Sequence, residues 1–222
     1  EAAVLNSRLR RRWRQGNLAV GLIGAAADLT YPYDYLGAGP QTLQDVADGK
    51  HSFARVLRDA KRPMIIVGAA AAARPDGVGV LSAAARTALL ASESKEPGWN
   101  AFNVLQGVAS RVAGLDVGFV PGTGGLDVAA MLVASAGGAL DILYLLGADE
   151  IEMAAIGETT FVIYQGSHGD AGAHRADVVL PGAAYTEKVA TYVNLEGRAQ
   201  MTNRAAFAPG EAKEDWAIIR AL

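Results

Sequence analysis

Residues 176 to 200, ADVVLPGAAYTEKVATYVNLEGRAQ, decide how the rest of the chain is read. Val178, Val179 and Leu180 form an apolar run without alternation, which suits a strand buried on both faces. Pro181 then closes it, because proline cannot donate to a sheet ladder. A polar loop follows at once, with Glu187, Lys188, Asn194, Glu196, Arg198 and Gln200 crowded around Gly197, a residue free to take the positive φ of a tight turn. A polar loop at the carboxyl end of a strand is where open α/β sheets place their ligands.

The same rhythm runs upstream. Leu18 to Ile23, Pro63 to Val67, Ile142 to Leu146, Phe161 to Tyr164 and Ala176 to Leu180 read as five buried strands. Helical spacing appears near Gln41 to Ala47, Ser52 to Ala60, Asp76 to Leu90, Trp99 to Val112 and Val128 to Ser135. Strands alternating with helices predict an α/β fold with a mostly parallel, doubly wound sheet of at least five strands and helices on both faces. The segment Ala25 to Gly39 reads as a loop whose tyrosines pack their rings and bond their hydroxyls. Polar residues and Pro97 near 92–98 mark the best internal break.

Composition narrows the function classes. The 222 residues are 51% hydrophobic and 19% charged, ordinary for a globular domain able to bury a core. No apolar run approaches the ~20 residues that span a bilayer. With no cysteine, the chain holds no disulfide, no thiolate-bound iron–sulfur cluster and no Cys-rich zinc site. A net charge of −3 gives no general attraction to polyanions. It leaves room for one local basic patch, Arg8, Arg10, Arg11, Arg12 and Arg14, on a short helix through Trp13 capped by Asn6 or Ser7 and ended by Gly16. That patch reads as a solvated face or a docking surface for an acidic neighbour, with a polyanion-binding module as the competing reading.

Other constellations carry less. Pro121-Gly-Thr-Gly-Gly lacks the spacing of both the P-loop and the dinucleotide fingerprint, and no strand feeds it. His168, Asp170 and His174 offer metal-ligating groups on a glycine-rich loop, where histidines bond locally or lie in solvent. Glu187 with Lys188 and Glu196 with Arg198 suit structural ion pairs. No catalytic constellation is expected, and no metal site.

Several motifs together resemble a known family. ADVVLP, the EK pair and T-x-x-N-x-EGR-x-Q are joined by LNSRLRRRW at 5–13, DLTYPYDYLG at 28–37, YQGSHGDAGAHRADVVLPG at 164–182 and EDWAIIRAL at 214–222. In this order they resemble the molybdopterin oxidoreductases, and within them the large iron–sulfur subunits of proton-pumping NADH:quinone oxidoreductase, respiratory complex I. The resemblance implies that residues 1–222 are one molybdopterin oxidoreductase-like α/β region, a fragment whose cysteine-rich, cluster-bearing N-terminal part lies outside it. It implies 2Fe-2S and 4Fe-4S clusters on that missing part and none on this chain. Asn194, Glu196, Arg198 and Gln200 become vestigial pterin-loop residues, with Asn194 and Arg198 bonding backbone around the turn. The implied role is scaffolding within the peripheral arm, beside the NADH/flavin-binding and iron–sulfur subunits, without nucleic acid or membrane insertion. The implied place is the cytoplasmic face of a bacterial inner membrane, or the matrix side in a mitochondrion. The competing reading is a fragment of an active molybdopterin-dependent enzyme such as a formate dehydrogenase.

Overall fold

The computed structural model describes residues 2–92 and 96–222. The chain divides into two compact units, Glu1–Val108 and Ala109–Leu222. The break expected near 92–98 falls partly on residues 93–95, outside the described residues.

The first unit begins with α1 (Ala3–Arg14), followed by β1 (Gly21–Ile23) and β2 (Asp34–Gly37), paired in parallel. Helices α2 (Pro40–Ala47) and α3 (Phe53–Asp59) lead to β3 (Ile65–Val67), α4 (Ala69–Ala72), α5 (Gly77–Ser92) and β4 (Phe102–Val104), the last parallel to β3. Proline at the start of α2 supplies the φ a first helical turn needs without wasting a donor. Val46, Phe53, Ala54 and Leu57 form the core, with Ile23, Leu36, Ile65 and Leu90 packed against them. Gly21 makes room for this core, since a Cβ there would sit 2.8 Å from the Phe53 ring.

The second unit contains α6 (Arg111–Asp116), α7 (Val128–Ala136), β5 (Ile142–Leu146), β6 (Phe161–Gly166), α8 (Ala171–Arg175), β7 (Val178–Pro181), β8 (Thr191–Val193), β9 (Ala199–Met201) and α9 (Asp215–Ala221). Strands β5, β6 and β7 form one parallel sheet in that order, with Tyr144↔Ile163 and Tyr164↔Val179 in register. Leu143, Leu145, Ile156, Val162 and Tyr164 make its core. A hydroxyl cluster pins α7 to the strand ends. The Ser135 and Thr160 hydroxyls lie 2.8 Å apart, Gly157 N–H donates to Ser135 Oγ at 2.9 Å, and Thr160 donates to the Leu140 carbonyl. Ser135 and Thr160 are buried, so these bonds satisfy groups that water cannot reach.

The parallel α/β architecture is as the sequence predicts, but several local expectations are corrected. Among the described residues the expected continuous sheet of at least five strands is replaced by parallel ladders of two, two and three strands plus an antiparallel hairpin, β8–β9. The ladders of the first unit are also short, with three residues each in β1, β3 and β4. Val178 and Val179 are not buried on both faces. They are 38% and 50% exposed, because β7 is the edge of its sheet and the fully buried positions, Val162 and Gln165, lie on central β6. Pro181 fits inside β7 as its last residue, paired with Gly166. Part of the expected loop at 25–39 is β2, where Asp34 N–H bonds the Val20 carbonyl at 2.8 Å.

The helix expected over Trp99 to Val112 is instead β4 followed by coil, with helix only from Arg111. Trp99 Nε1 is anchored to the Pro63 carbonyl at 2.6 Å and Phe102 N–H bonds Asn100 Oδ1, which fixes an extended exit into the ladder. Asn6 and Ser7 lie inside α1 rather than capping it. Asn6 instead accepts from Tyr31 Oη at 2.8 Å and donates to the Leu29 carbonyl.

Candidate functional site

The carboxyl ends of β5, β6 and β7 lie together in the second unit, because parallel strands deliver all their exits to one edge. Gln165, at the end of β6, is fully buried. Its amide is held on both sides. Tyr144 of β5 donates its hydroxyl to Oε1, while Nε2 donates to Asp215 Oδ1 at 2.9 Å and to the Asp215 carbonyl at 3.3 Å. The other carboxylate oxygen of Asp215 pairs with Lys188 Nζ. Burial, and then the charge of Asp215, raise the Tyr144 hydroxyl above its ordinary pKa.

Backbone geometry brings this carboxylate to the strand ends. Ala183 N–H bonds the Lys213 carbonyl at 2.8 Å, and Lys213 N–H returns to the Pro181 carbonyl at 3.1 Å. Gly182 pairs in parallel with Lys213, adding the C-terminal segment beside the end of β7. A Cβ on Gly182 would come within 3.1 Å of Asp215 Oδ1, so glycine leaves the carboxylate its place. Val189 N–H reaches Glu214 at 3.4 Å, and Trp216 Nε1 bonds the same carboxylate at 2.6 Å.

The predicted site residues fall in different places. Glu187 accepts from Ala184 N–H at 2.9 Å and closes its own turn, while Lys188 reaches the network above. Asn194 to Arg198 form the turn of the β8–β9 hairpin. Asn194 Oδ1 accepts from Glu196 N–H at 3.0 Å and Arg198 N–H at 2.9 Å, and Gly197 takes φ of +76°. The backbone N–H of Asn194 in turn bonds the Arg198 carbonyl at 3.0 Å. Glu196, Arg198 and Gln200 are exposed on this hairpin.

His168 and His174 are exposed; the Nδ1 of His168 lies 3.0 Å from Ser167 Oγ, and its carbonyl accepts from buried Tyr164. Residues 121–125 are an exposed turn, and the nearby start of α7 already carries an acidic cap, Asp127, accepting from Ala130 N–H at 2.8 Å. An anion at that helix end would meet like charge.

Sequence reasoning missed Tyr144, Gln165 and Asp215. Gln165 sits at the end of a run that reads as plain strand, and Asp215 is fifty residues away in sequence from the amide it holds. The arrangement can lock the end of the sheet to the C-terminal segment. It offers no nucleophile with an adjacent base. A cavity of about 440 Å³ lies elsewhere in this unit, between α7 and residues 154–158, and is lined mainly by Leu132, Val133, Ala136 and Ile156.

Comparison with known proteins gives consistent matches. The sequence profile described as Molybdopterin oxidoreductase matches residues 1–222. The NADH-ubiquinone oxidoreductase 75 kDa subunit of Reclinomonas americana is 44% identical over all of this chain, which covers 31% of that protein. The mitochondrial NADH dehydrogenase [ubiquinone] iron-sulfur protein 1 of Solanum tuberosum is 42% identical over all of this chain and 29% of its own length. The chain thus spans under a third of the length of these relatives. Among solved structures, the formyltransferase/hydrolase complex (FhcABCD) of Methylorubrum extorquens in complex with methylofuran superposes with a TM-score of 0.55 at 16% identity. That match covers 90% of this chain and 62% of the other, a likeness of fold alone.

Proposed function

We propose that this chain, which belongs to the molybdopterin oxidoreductase family, is the scaffold portion of the large iron–sulfur subunit of a complex I-type NADH:quinone oxidoreductase. The observation that carries the reading is agreement along all 222 residues, at 42–44% identity, with proteins named as the 75 kDa or 78 kDa subunit of NADH-ubiquinone oxidoreductase or as iron-sulfur protein 1 of NADH dehydrogenase. The proposed role is to hold a cluster-bearing remainder of the subunit, and its NADH/flavin-binding and iron–sulfur neighbours, in the peripheral arm. Electrons then pass from NADH to quinone through groups carried elsewhere, since a chain without cysteine has no thiolates to hold a cluster. The arm faces the cytoplasm in a bacterium or the matrix in a mitochondrion. Among the described residues no helix is long and apolar enough to cross a membrane.

The family implies a pterin cofactor, and the residues present do not fit one. Asn194 spends its side-chain oxygen on its own turn, and Glu196, Arg198 and Gln200 project from an exposed hairpin. At the carboxyl edge of the sheet, Gln165 and Lys188 are both taken by Asp215. These engagements support a folding role for the EGR-x-Q turn rather than a ligand-holding one.

Deleting the region corresponding to residues 1–222 from the intact protein tests the proposal. The expected result is loss of assembly and of NADH:quinone activity together, with flavin-site NADH oxidation surviving in the released subcomplex. Full activity and assembly after the deletion would overturn it. Stoichiometric molybdenum or tungsten with bound pterin in the intact protein would favour a molybdopterin-dependent enzyme of the formate dehydrogenase kind.

A further inference from the structure

Helix α1 carries arginine at positions 8, 10, 11, 12 and 14 and no acidic residue. One stripe is used internally. Leu5, Asn6, Leu9 and Trp13 are half-buried at helical spacing, with Trp13 stacked on Tyr31 at 6.2 Å between ring centres and Asn6 bonded to the Tyr31 hydroxyl. The opposite arc presents Arg11 at its centre, with Arg10 and Arg14 beside it, all exposed. Among the described residues these three have no ion pair, whereas Arg12 bonds the Gly16 carbonyl at 2.7 Å.

Arg10/Arg14 and Arg11/Arg14 are four and three residues apart. Each pair brings like charges onto one helix surface, which destabilises a helix. The last turn recovers part of this from the helix dipole. Opposite charge brought to the face relieves the remainder.

We infer that the outer face of α1, centred on Arg10, Arg11 and Arg14, docks the carboxylate-bearing surface of a neighbouring protein subunit. This rests on the reading of the chain as one part of a larger assembly. Charge complementarity names the occupant as acidic, and an apolar residue on the same arc with no outward stacking aromatic names it as protein. The cluster is entirely arginine, and Lys50 is the first lysine of the chain. Arginine is the cation that interfaces favour, being weakly hydrated and able to grip a carboxylate with two donors. Exposed Val4, 78% accessible, sits on the same outer arc and adds the apolar contact that protein interfaces use. Single-stranded nucleic acid asks instead for stacking aromatics, and the one tryptophan of this helix is already stacked inward on Tyr31.

The test uses the intact assembly. Arg10, Arg11 and Arg14 are replaced together by Glu, and separately by Gln, leaving the Leu5, Leu9 and Trp13 stripe untouched. Trp13–Tyr31 packing, read by near-ultraviolet circular dichroism, reports that the unit stays folded. Retention of neighbouring subunits is then measured as salt is raised to about 0.5 M, where the screening length shrinks to a few ångströms. The expected result is at least about a tenfold faster loss of one neighbour from the Glu variant, with the Gln variant between it and wild type. In parallel, Arg11→Lys is treated with a carbodiimide, which joins an amine to a carboxylate in contact. Links to Asp or Glu of another polypeptide support the inference; links confined to the same polypeptide, or equal retention in all variants, overturn it. Wild-type binding to single-stranded DNA or phosphatidylserine vesicles, abolished by Glu while retention of neighbours is unchanged, also overturns it in favour of a polyanion. If wild type co-purifies with no other polypeptide at all, the assembly reading itself fails.

Discussion

Replacing Asp215 by Ala should loosen the second unit, because one carboxylate closes two bonds at the end of its sheet. Asp215 Oδ1 accepts from the fully buried Gln165 amide at 2.9 Å, and a hydrogen bond to a charged group contributes about 1.5–3 kcal/mol. Gln165 Nε2 retains only the 3.3 Å bond to the Asp215 carbonyl, so most of that is lost, while the Tyr144 bond to Oε1 remains. The Lys188 pair adds less. Its side chains are 21% and 34% exposed, and solvent screening brings such a pair to about 1 kcal/mol or below. The sum is about 2–3 kcal/mol, which lowers the melting temperature of a unit in a chain of this size by about 4–12 °C. Thermal unfolding of wild type, Asp215→Ala, Lys188→Met and the double variant completes a cycle, with coupling of about 0.5–1 kcal/mol expected. Gln165→Leu, which leaves the Tyr144 hydroxyl and one carboxylate lone pair without a partner, should also destabilise. A shift under about 1 °C for Asp215→Ala would refute the argument that this carboxylate locks the sheet end.

Gly172→Ala should destabilise by about 1–3 kcal/mol through overpacking, since its Cβ would lie 2.6 Å from the Tyr164 ring. Combining it with Tyr164→Leu should recover part of the loss, and strict additivity in denaturant midpoints would count against this packing. Acid should weaken the first unit. Asp48 is held below the usual range by hydrogen bonding to Lys50 and by the charges of Lys50 and Arg86, Asp76 by Arg74, and Glu96 by Arg62. Depressed folded pKa values give stability that is present above the unfolded carboxylate range, about 4, and lost as pH falls through the folded values, an effect that salt should blunt. Base acts in the opposite sense. Tyr31, Tyr144 and Tyr164 are raised above their ordinary value of 10.0, first by burial, so their contribution holds below that value and disappears as pH rises through the folded values. A melting temperature unchanged from neutrality into strong alkali would contradict the tyrosine argument.

Strand and helix order was largely legible because it is local. Apolar runs at 142–146 and 161–164, and the helices at 41–47, 52–60, 76–90 and 128–135, reappear within a few residues of their expected limits. Local signals failed where a distant partner decides the conformation. Phe102 to Val104 have no strand signature of their own, and become β4 because Ile65 N–H and the Val67 carbonyl wait beside them. Asp34 to Gly37 become β2 for the same reason, against β1. The tyrosines of 28–37 did what their chemistry requires, each hydroxyl finding an acceptor: Asn6, the Ala27 carbonyl or the Gly24 carbonyl.

The sequence by itself determined the α/β class, the absence of any cysteine-based site and the family, because composition, periodicity and ordered motifs are properties of the chain read along its length. It also marked 164–182, 187–188 and 214–222 as segments of consequence. Only the tertiary structure decided that they meet. Gln165, Lys188 and Asp215 join at one strand edge, while Asn194 to Gln200, adjacent to Lys188 in sequence, turn outward on a hairpin. Whether a polar side chain faces a cavity, a partner or water depends on long-range hydrogen bonds across 27 to 50 residues. Residue spacing along a chain carries no record of those distances.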